Sequence, residues 1–201
     1  MIYSLATQLT QKLSRKESMS EDEFETVTYG LFTVLSRVMY ALISVLFGVI
    51  LGCIFESLLF YFCFLFVKKY AGGFHAKTEI RCFVISTFSI ISSVMLIYSS
   101  GKSAVVSLLI LSVSLLCALV ISFFAPIASK ERPLDEAETK RYSKKAKIRA
   151  SILFFLGLAF YLANLKAFSS AVFVSLILES VLLIAGKIAM MQQKKKQTSS
   201  F

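Results

Sequence analysis

Charged residues, histidine and tryptophan are scarce in this sequence. Only 17% of its 201 residues are charged, it has a single histidine, His75, and it has no tryptophan. Soluble domains contain about 25% charged and about 45–50% apolar residues, whereas 57% of this chain is hydrophobic and its mean hydropathy is +0.75. This composition excludes a disordered chain, a nucleic-acid-binding domain and a disulfide-stapled secreted module. Any chemistry that needs an imidazole must use His75.

Motifs for metal binding and for other nucleophiles are also missing. The four cysteines contain no CxxC pair, and four scattered cysteines with one histidine do not make a zinc site. No serine nucleophile elbow, HExxH motif or Walker A loop occurs. Cys53, Cys63 and Cys117 lie inside apolar runs and are interpreted as packing residues. The sequence therefore implies no metal and no cofactor.

Long apolar runs dominate what is present. A membrane-spanning helix needs about 20 mostly apolar residues. We predict an all-α integral membrane protein with about six transmembrane helices, near 27–47, 49–67, 82–98, 104–124, 150–165 and 168–186. These spans form a single polytopic membrane domain, 27–190, followed by a basic polar cytoplasmic tail, 191–201.

Arg37 is the residue that fits this topology least well, because it falls in the middle of the first span. An arginine there costs at least about 2.5 kcal/mol unless it is paired or reaches water. Glu56 and Glu179 are its candidate partners. The alternative has five spans, with one long span and an amphipathic helix that contains Arg37.

The segment 1–26 carries too many charges to span a membrane. Ile2, Leu5, Ala6, Leu9 and Leu13 recur at helical spacing, which predicts an amphipathic helix lying in the membrane interface. The alternative is a soluble helix packed on the membrane domain. No apolar block follows a short basic start, so the segment is not interpreted as a cleavable signal peptide.

The net charge of +10 is explained by membrane topology. Under the six-span topology, all basic residues except Arg37, Lys102 and Lys166 lie on one side. Cytoplasmic segments carry such an excess of lysine and arginine, so we predict that both termini are cytoplasmic. No nucleic-acid partner is needed to explain the charge.

The most unusual segment runs from Lys68 to Cys82. Gly72 and Gly73 break the helix, His75 follows two residues later, and Cys82 lies seven residues after His75. A thiolate nucleophile needs a base or a cation nearby. On one straight helix, seven residues span about 10.5 Å, so the pair requires His75 on a non-helical stretch that folds back.

Thr78 is a predicted N-cap, which would place Cys82 in the first turn of the third span. There the helix dipole, Lys77 and Arg81 would favour a thiolate. The alternative is a buried small thiol with a histidine at the membrane interface. Spacing alone does not decide between them.

This segment resembles the accessory gene regulator B (AgrB) family, the integral-membrane cysteine endopeptidases of Gram-positive quorum sensing. The resemblance rests on Lys-Lys-Tyr-Ala-Gly-Gly-Phe-His-Ala-Lys-Thr at 68–78, with Cys82 at the matching distance. A second match is Ala-Pro-Ile-Ala-Ser-Lys-Glu-Arg-Pro-Leu at 125–134. Length, spans and basic loops agree as well, so the resemblance covers nearly the whole chain.

The resemblance implies that Cys82 is the nucleophile and His75 the general base of a Cys–His dyad. The implied substrate is an AgrD-type precursor peptide, whose acidic tail is released while an acyl-enzyme thioester forms. A substrate side chain then attacks the thioester and closes a thiolactone or lactone ring. The implied location is the bacterial cytoplasmic membrane, with the active site at the cytoplasmic face. No third catalytic residue is evident, although Thr78 and Glu79 are close in sequence.

Further residues are predicted to bind substrate or shape the site. Gly73 matches a family position. Lys68 stands where the family usually has arginine, and a lysine lacks the guanidinium that binds a carboxylate through two hydrogen bonds. A basic patch beside the site would draw in the acidic tail. Its alternative role is to set topology and contact anionic lipid. The predicted set is Lys68, Gly72, Gly73, Lys77, Arg81, Lys140, Arg141, Lys144 and Lys145, and the patch continues to Lys147 and Arg149.

Two other functions remain open at this level. One is a non-enzymatic transporter or peptide exporter that uses Arg37, Glu56 and Glu179 as intramembrane polar groups. The other is a membrane scaffold that binds a partner through its basic loops. The predicted partners are the precursor peptide and membrane lipid, and a homodimer is compatible with a bundle of this size.

Overall fold

The computed structural model describes residues 2–14, 19–74, 78–127 and 135–198, with side chains as far as Gln192. Over these residues the chain is helical, which confirms the all-α prediction. The helices are α1 (Ile2–Ser14), α2 (Glu21–Leu51), α3 (Ile54–Ala71), α4 (Glu79–Lys102), α5 (Ala104–Phe124), α6 (Glu136–Leu162) and α7 (Lys166–Thr198). A parallel bridge between Gly72 and Ile127 is the one extended pairing within the described ranges.

Capping sequences set the starts of two helices ahead of the predicted apolar runs. Ser20 and Glu23 form a capping box, in which Ser20 Oγ accepts from the Glu23 N–H at 3.4 Å and Glu23 Oε2 accepts from the Ser20 N–H at 2.9 Å. α2 therefore begins before residue 27. Asp135 Oδ1 accepts from the Glu138 N–H at 2.6 Å and caps α6. The basic stretch 136–149, expected to connect two spans, is thus the helical first half of α6.

Each of the six predicted apolar runs corresponds to one helix from α2 to α7. Four of these helices, α2, α4, α5 and α7, are long and apolar enough to cross a membrane. α3 and α6 carry basic residues within the helix, at the end of α3 and in the first half of α6. The chain is therefore an all-α protein with the helices of a membrane protein.

α7 forms the centre of the bundle and contacts α3, α4, α5 and α6. In its apolar part 61% of the residues are buried, against 11% in α2 and 22% in α4 and α5. A Cβ on Gly157 of α6 would lie 2.5 Å from Phe173 Cε1, and the Ser169 hydroxyl donates to the Gly157 carbonyl at 2.8 Å. Small residues thus let α6 and α7 approach closely, as in membrane helix pairs.

α1 packs on α2 and is tied to the start of α4. The Thr28 hydroxyl donates to Thr10 Oγ1 at 3.0 Å, and both side chains are buried. The backbone N–H groups of Ile2 and Tyr3 donate to Glu79 Oε1 at 2.8 and 3.2 Å. α1 is therefore packed on the rest of the chain. Apolar side chains on its other face stay exposed, and their contact with lipid stays a prediction.

Arg37 lies exposed on α2, and its carbonyl accepts a hydrogen bond from the Tyr61 hydroxyl at 2.6 Å. Glu179 is fully buried on α7, and its carboxylate oxygens accept no hydrogen bond from any described residue. The predicted pairing of Arg37 with Glu179 is therefore wrong, because the two side chains face different environments. Pairing with Glu56 stays a prediction.

Candidate active site

The glycine segment, Gly72–Gly73–Phe74, leaves the end of α3 through backbone conformations that favour glycine. Gly72 has φ 81° and Gly73 has φ 134°. The Ile127 N–H donates to the Ala71 carbonyl at 2.9 Å, and a Cβ on Gly72 would lie 2.3 Å from the Ile127 carbonyl oxygen. Only glycine allows this approach. The two motifs singled out from the sequence, at 68–82 and 125–134, therefore touch through their backbones.

α7 holds the other side of the glycine segment. The Phe74 N–H donates to the Leu182 carbonyl at 3.1 Å. A Cβ on Gly186 would lie 3.0 Å from the Gly73 carbonyl carbon, so the chains pass at backbone distance. The glycine segment is thus enclosed between α7 and Ile127, immediately before His75.

His75 itself lies outside the described residues, as do Lys77 and the stretch 128–134. The geometry of the predicted Cys–His dyad therefore stays a prediction. The described residues give the position of Cys82. They also give the two backbone hydrogen bonds, at Ile127 and at Leu182, that hold the chain just before His75.

Cys82 lies in the first turn of α4, as predicted from the cap. Thr78 Oγ1 accepts from the Arg81 N–H at 3.4 Å, and the Cys82 N–H donates to the Thr78 carbonyl at 3.0 Å. Cys82 is partly exposed, whereas Cys53 and Cys63 are buried and Cys117 is partly exposed. A partly exposed thiol at a helix N-terminus is suited to nucleophilic chemistry.

Tyr40 is a neighbour of Cys82 that the sequence analysis missed. Its ring stacks on Phe83 with 6.3 Å between centroids, its hydroxyl hydrogen-bonds with the Ser86 side chain, and the side chains of Cys82 and Glu79 lie close enough to interact with that hydroxyl. Tyr40 lies on α2, far from Cys82 in sequence. No motif or spacing connects the two residues, so only the packing of α2 on α4 places them together.

Thr78 and Glu79, the candidates for a third catalytic group, both have structural partners. The Thr78 hydroxyl oxygen caps α4, and Glu79 Oε1 accepts from the first N–H groups of α1. These contacts tie α1 to the same helix end that carries Cys82. They assign a structural role to each side chain.

Lys68 reaches from α3 toward the glycine segment. Its ammonium lies 5.1 Å from the Phe64 ring centroid and 3.5 Å from where a Cβ on Gly73 would be. The structure therefore brings the Lys68 ammonium against the glycine segment.

The predicted basic patch divides between two faces of α6. On one face, Lys145 and Arg149 lie 4.9 and 4.2 Å from the Tyr70 ring centroid, and Arg149 Nη1 donates to the Phe66 carbonyl at 2.6 Å. Desolvation raises the pKa of Tyr70, but the surrounding positive charges, led by Lys145, outweigh it and leave the pKa below its ordinary value. These two basic side chains are engaged in joining α6 to α3.

On the other face, Lys140, Lys144 and Lys147 line a surface groove of about 580 Å³. Phe123, Phe124 and the Ala125–Pro126 segment form its apolar wall. Arg141 is exposed and does not line this groove. The groove presents three cations beside an aromatic wall, next to the motif that contacts the glycine segment.

No group of three metal-ligating side chains occurs in the part of the chain that the structure describes. The candidate site residues that the structure describes are the Cys82 thiol, the glycine segment held by backbone contacts, and basic side chains. A partly exposed thiol is a group that can accept an acyl group from a substrate.

The amino-acid sequence is similar to known proteins. The sequence model of a family described as Accessory gene regulator B matches residues 6–183. Accessory gene regulator protein B of Staphylococcus intermedius is 30% identical over 145 residues, covering 72% of this chain and 73% of that protein. The protein of the same name from Staphylococcus saprophyticus subsp. saprophyticus is 28% identical over 154 residues, covering 76% and 78%. The one from Staphylococcus epidermidis is 22% identical over 177 residues, covering 88% of each. No solved structure matches the chain.

Proposed function

The chain belongs to the accessory gene regulator B family, and we propose that it is a membrane-embedded cysteine endopeptidase acting on an AgrD-type precursor peptide. Membership of this family links the chain to agr quorum sensing. The observation that carries the finer proposal is the enclosure of the glycine segment between Ile127 and α7. It anchors the chain immediately before His75, and α4 presents Cys82 a few residues beyond.

In the proposed reaction, the Cys82 sulfur attacks the scissile carbonyl carbon of the precursor, and His75 accepts the thiol proton. The C–N bond breaks, the proton passes to the leaving amine, and the acidic tail departs. The remaining peptide is held as a thioester on Cys82. A cysteine or serine side chain of the substrate then attacks that carbonyl and closes a thiolactone or lactone. The C–S bond to Cys82 breaks, and the proton of the attacking group passes by way of His75 to the Cys82 sulfur. Water must be kept from the thioester, which suits a site at a membrane face.

We place the site at the cytoplasmic face, with α2 to α7 as six spans and both termini inside. Support comes from the contacts at one end of the bundle, where the end of α3 meets Ile127 and the Leu182–Gly186 turn of α7. That end also carries Lys68, the groove lysines and Lys187, whose ammonium lies 3.8 Å from the Phe124 ring centroid. Clustering of basic residues at one end is typical of the cytoplasmic side.

The groove on α6 is the proposed contact for the acidic tail of the precursor. Its lysines would each contribute about 1 kcal/mol of attraction near an anionic surface or peptide. The exporter alternative receives no comparable support, because Arg37 is exposed on α2 while Glu179 is buried on α7. These two groups do not line one common path.

The test is co-expression with a tagged AgrD-type precursor, encoded by the short reading frame expected beside the gene. Cys82→Ala should abolish cleavage while the protein still inserts into the membrane. Cys117→Ala is the matched control, because Cys117 is also partly exposed and should be dispensable. Normal cleavage by Cys82→Ala would refute the proposal. Loss of export with cleavage intact after replacing Arg37 and Glu56 would favour the exporter instead.

A further inference from the structure

Three basic side chains gather around the ring of Tyr70, at the end of α3. The charged groups of Arg149, Lys145 and Lys69 lie 4.2, 4.9 and 5.7 Å from the ring centroid. Lys145 also hydrogen-bonds to the Tyr70 hydroxyl, and the charges that act on this hydroxyl are all positive. These four residues form the Tyr70 cluster. Because like charges held this close repel one another, the cluster favours an added anion.

Arg149 is held in place within the Tyr70 cluster. Its guanidinium lies 4.1 Å from the Phe66 ring centroid as well as over Tyr70, and its Nη1 donates to the Phe66 carbonyl at 2.6 Å. A guanidinium carries five N–H donors in one plane, and the contact with Phe66 uses one of them. Since two rings and a carbonyl already fix the side chain, binding of an anion costs little further conformational freedom. The remaining donors suit the oxygens of a phosphate.

α3 and α6 pack against each other and run in opposite directions beside the Tyr70 cluster. Lys145 contacts Tyr70. Arg149, one turn later on α6, also reaches Phe66, which lies one turn earlier on α3. The faces that carry these residues therefore continue side by side, away from the basic ends of the two helices.

These continuing faces are apolar and exposed. Phe62 comes next on the α3 face, one turn before Phe66, and it is 66% exposed. Ile152 comes next on the α6 face, three residues after Arg149, and it is 51% exposed. The surface of this helix pair thus has cations at one end and apolar side chains beside them. Such a surface is complementary to a molecule with an anionic head and apolar chains.

We propose that the Tyr70 cluster binds the phosphate of an anionic phospholipid, whose acyl chains lie over Phe62 and Ile152. Basic pockets between membrane helices are suited to anionic headgroups, and tyrosine is enriched at the membrane–water interface. The groove lysines lie on the other face of α6, so the lipid and the acidic tail of the precursor bind different surfaces. The inference goes beyond the proposed peptidase function and does not depend on it.

The test uses the full chain in nanodiscs that contain phosphatidylcholine and phosphatidylglycerol in equal amounts. Intact protein is released in a mass spectrometer, and the retained lipids are identified by mass. The unmodified chain should retain phosphatidylglycerol at least about tenfold over phosphatidylcholine, because several cations attract its net negative charge. Lys69→Gln should lower this preference about fivefold, as expected for one cation. Arg149→Gln should lower it at least about tenfold, because it also removes the planar donors.

Lys102→Gln is the matched control. The Lys102 ammonium lies 4.2 Å from the Tyr98 ring centroid at the end of α4. In the part of the chain that the structure describes, this ring carries one cation where Tyr70 carries three. Lys102→Gln should therefore retain phosphatidylglycerol as the unmodified chain does.

Two further arms examine the apolar surface and the fold. Phe62→Ser should reduce retention of phosphatidylglycerol about fivefold, because it removes an exposed ring from the path of the acyl chains. Inorganic phosphate, which has no acyl chains, should not displace the lipid. Lys69→Gln keeps the proposal testable if Arg149→Gln loosens α6 from α3, because the contact of Lys69 with Tyr70 lies within α3.

Three results would overturn the proposal. The first is equal retention of the two lipids by the unmodified chain. The second is a preference in Lys69→Gln and Arg149→Gln that equals that of the unmodified chain. The third is displacement of the lipid by inorganic phosphate or by a soluble acidic peptide, which would assign the Tyr70 cluster to a free anion or to a peptide. Precursor cleavage plays no part in these measurements, so failure of the proposed function leaves their outcome unchanged.

Discussion

Gly72→Ala should destabilise the protein through one backbone contact. Gly72 has φ 81° and ψ −136°, and a Cβ there would lie 2.3 Å from the Ile127 carbonyl oxygen. Because that oxygen belongs to the backbone, no side-chain rotation can relieve the overlap. The glycine segment must move away from Ile127.

The magnitude has two parts. A non-glycine residue in this backbone region costs on the order of 1–3 kcal/mol. Moving the segment also loses the hydrogen bond from the Ile127 N–H to the Ala71 carbonyl, worth about 1 kcal/mol net. We therefore expect the free energy of unfolding to fall by about 2–4 kcal/mol. Precursor cleavage should fall as well, because the same segment leads to His75.

The assay is equilibrium unfolding in mixed detergent micelles, followed by circular dichroism, with two glycine controls. Gly52 has φ 71° but open space around it, so Gly52→Ala should cost only about 1–2 kcal/mol. Gly30 lies inside α2 with nothing within 4 Å, so Gly30→Ala should stabilise by about 0.5–1 kcal/mol. Equal losses for Gly72→Ala and Gly52→Ala would show that the contact with Ile127 contributes nothing.

Two further predictions concern the edges of the site. Glu79→Gln should weaken the charge-assisted hydrogen bonds to the start of α1 by about 1 kcal/mol. The Ile2 and Tyr3 amides should then exchange their hydrogens faster. Unchanged exchange would contradict this anchoring of α1 by Glu79. Lys144→Gln should raise the KM for an acidic precursor about fivefold at low salt with kcat unchanged, because it removes about 1 kcal/mol of electrostatic attraction. Arg141 lies outside the groove, so Arg141→Gln should change the KM less. Equal KM values for the two variants would exclude the groove as the tail contact.

Local sequence features predicted local structure well. The Thr78 cap and the place of Cys82 in the first turn of α4 follow from a few neighbouring residues, and the structure has both. The capping box at Ser20 and the helical start of α6 were missed. Ser20, Glu23 and Asp135 carry the capping signals, but an apolar run does not include the charged residues at which these two helices begin.

Partners between distant residues could not be predicted in this way. Glu179 stands out in the sequence as a carboxylate within an apolar run, but only the structure shows that it is fully buried, with no hydrogen bond from any described residue, while Arg37 is exposed. Tyr40 carries no motif at all, and it meets Cys82 only because α2 packs on α4. Hydropathy and charge place residues along the chain, whereas the side of each helix that faces a neighbour depends on how the helices rotate and cross.

By itself, the sequence determined the class of the protein and the approximate positions of its helices, and it named the residues that are proposed to carry the chemistry. These depend on run length, charge and spacing, which are properties of neighbouring residues. Only the tertiary structure decided that the two motifs touch at Gly72 and Ile127, and that α7 holds the glycine segment. The physical reason is that a backbone contact between distant segments requires the packing of the helices to bring those segments within hydrogen-bonding distance. Glycines allow such an approach, but packing selects which ones make it.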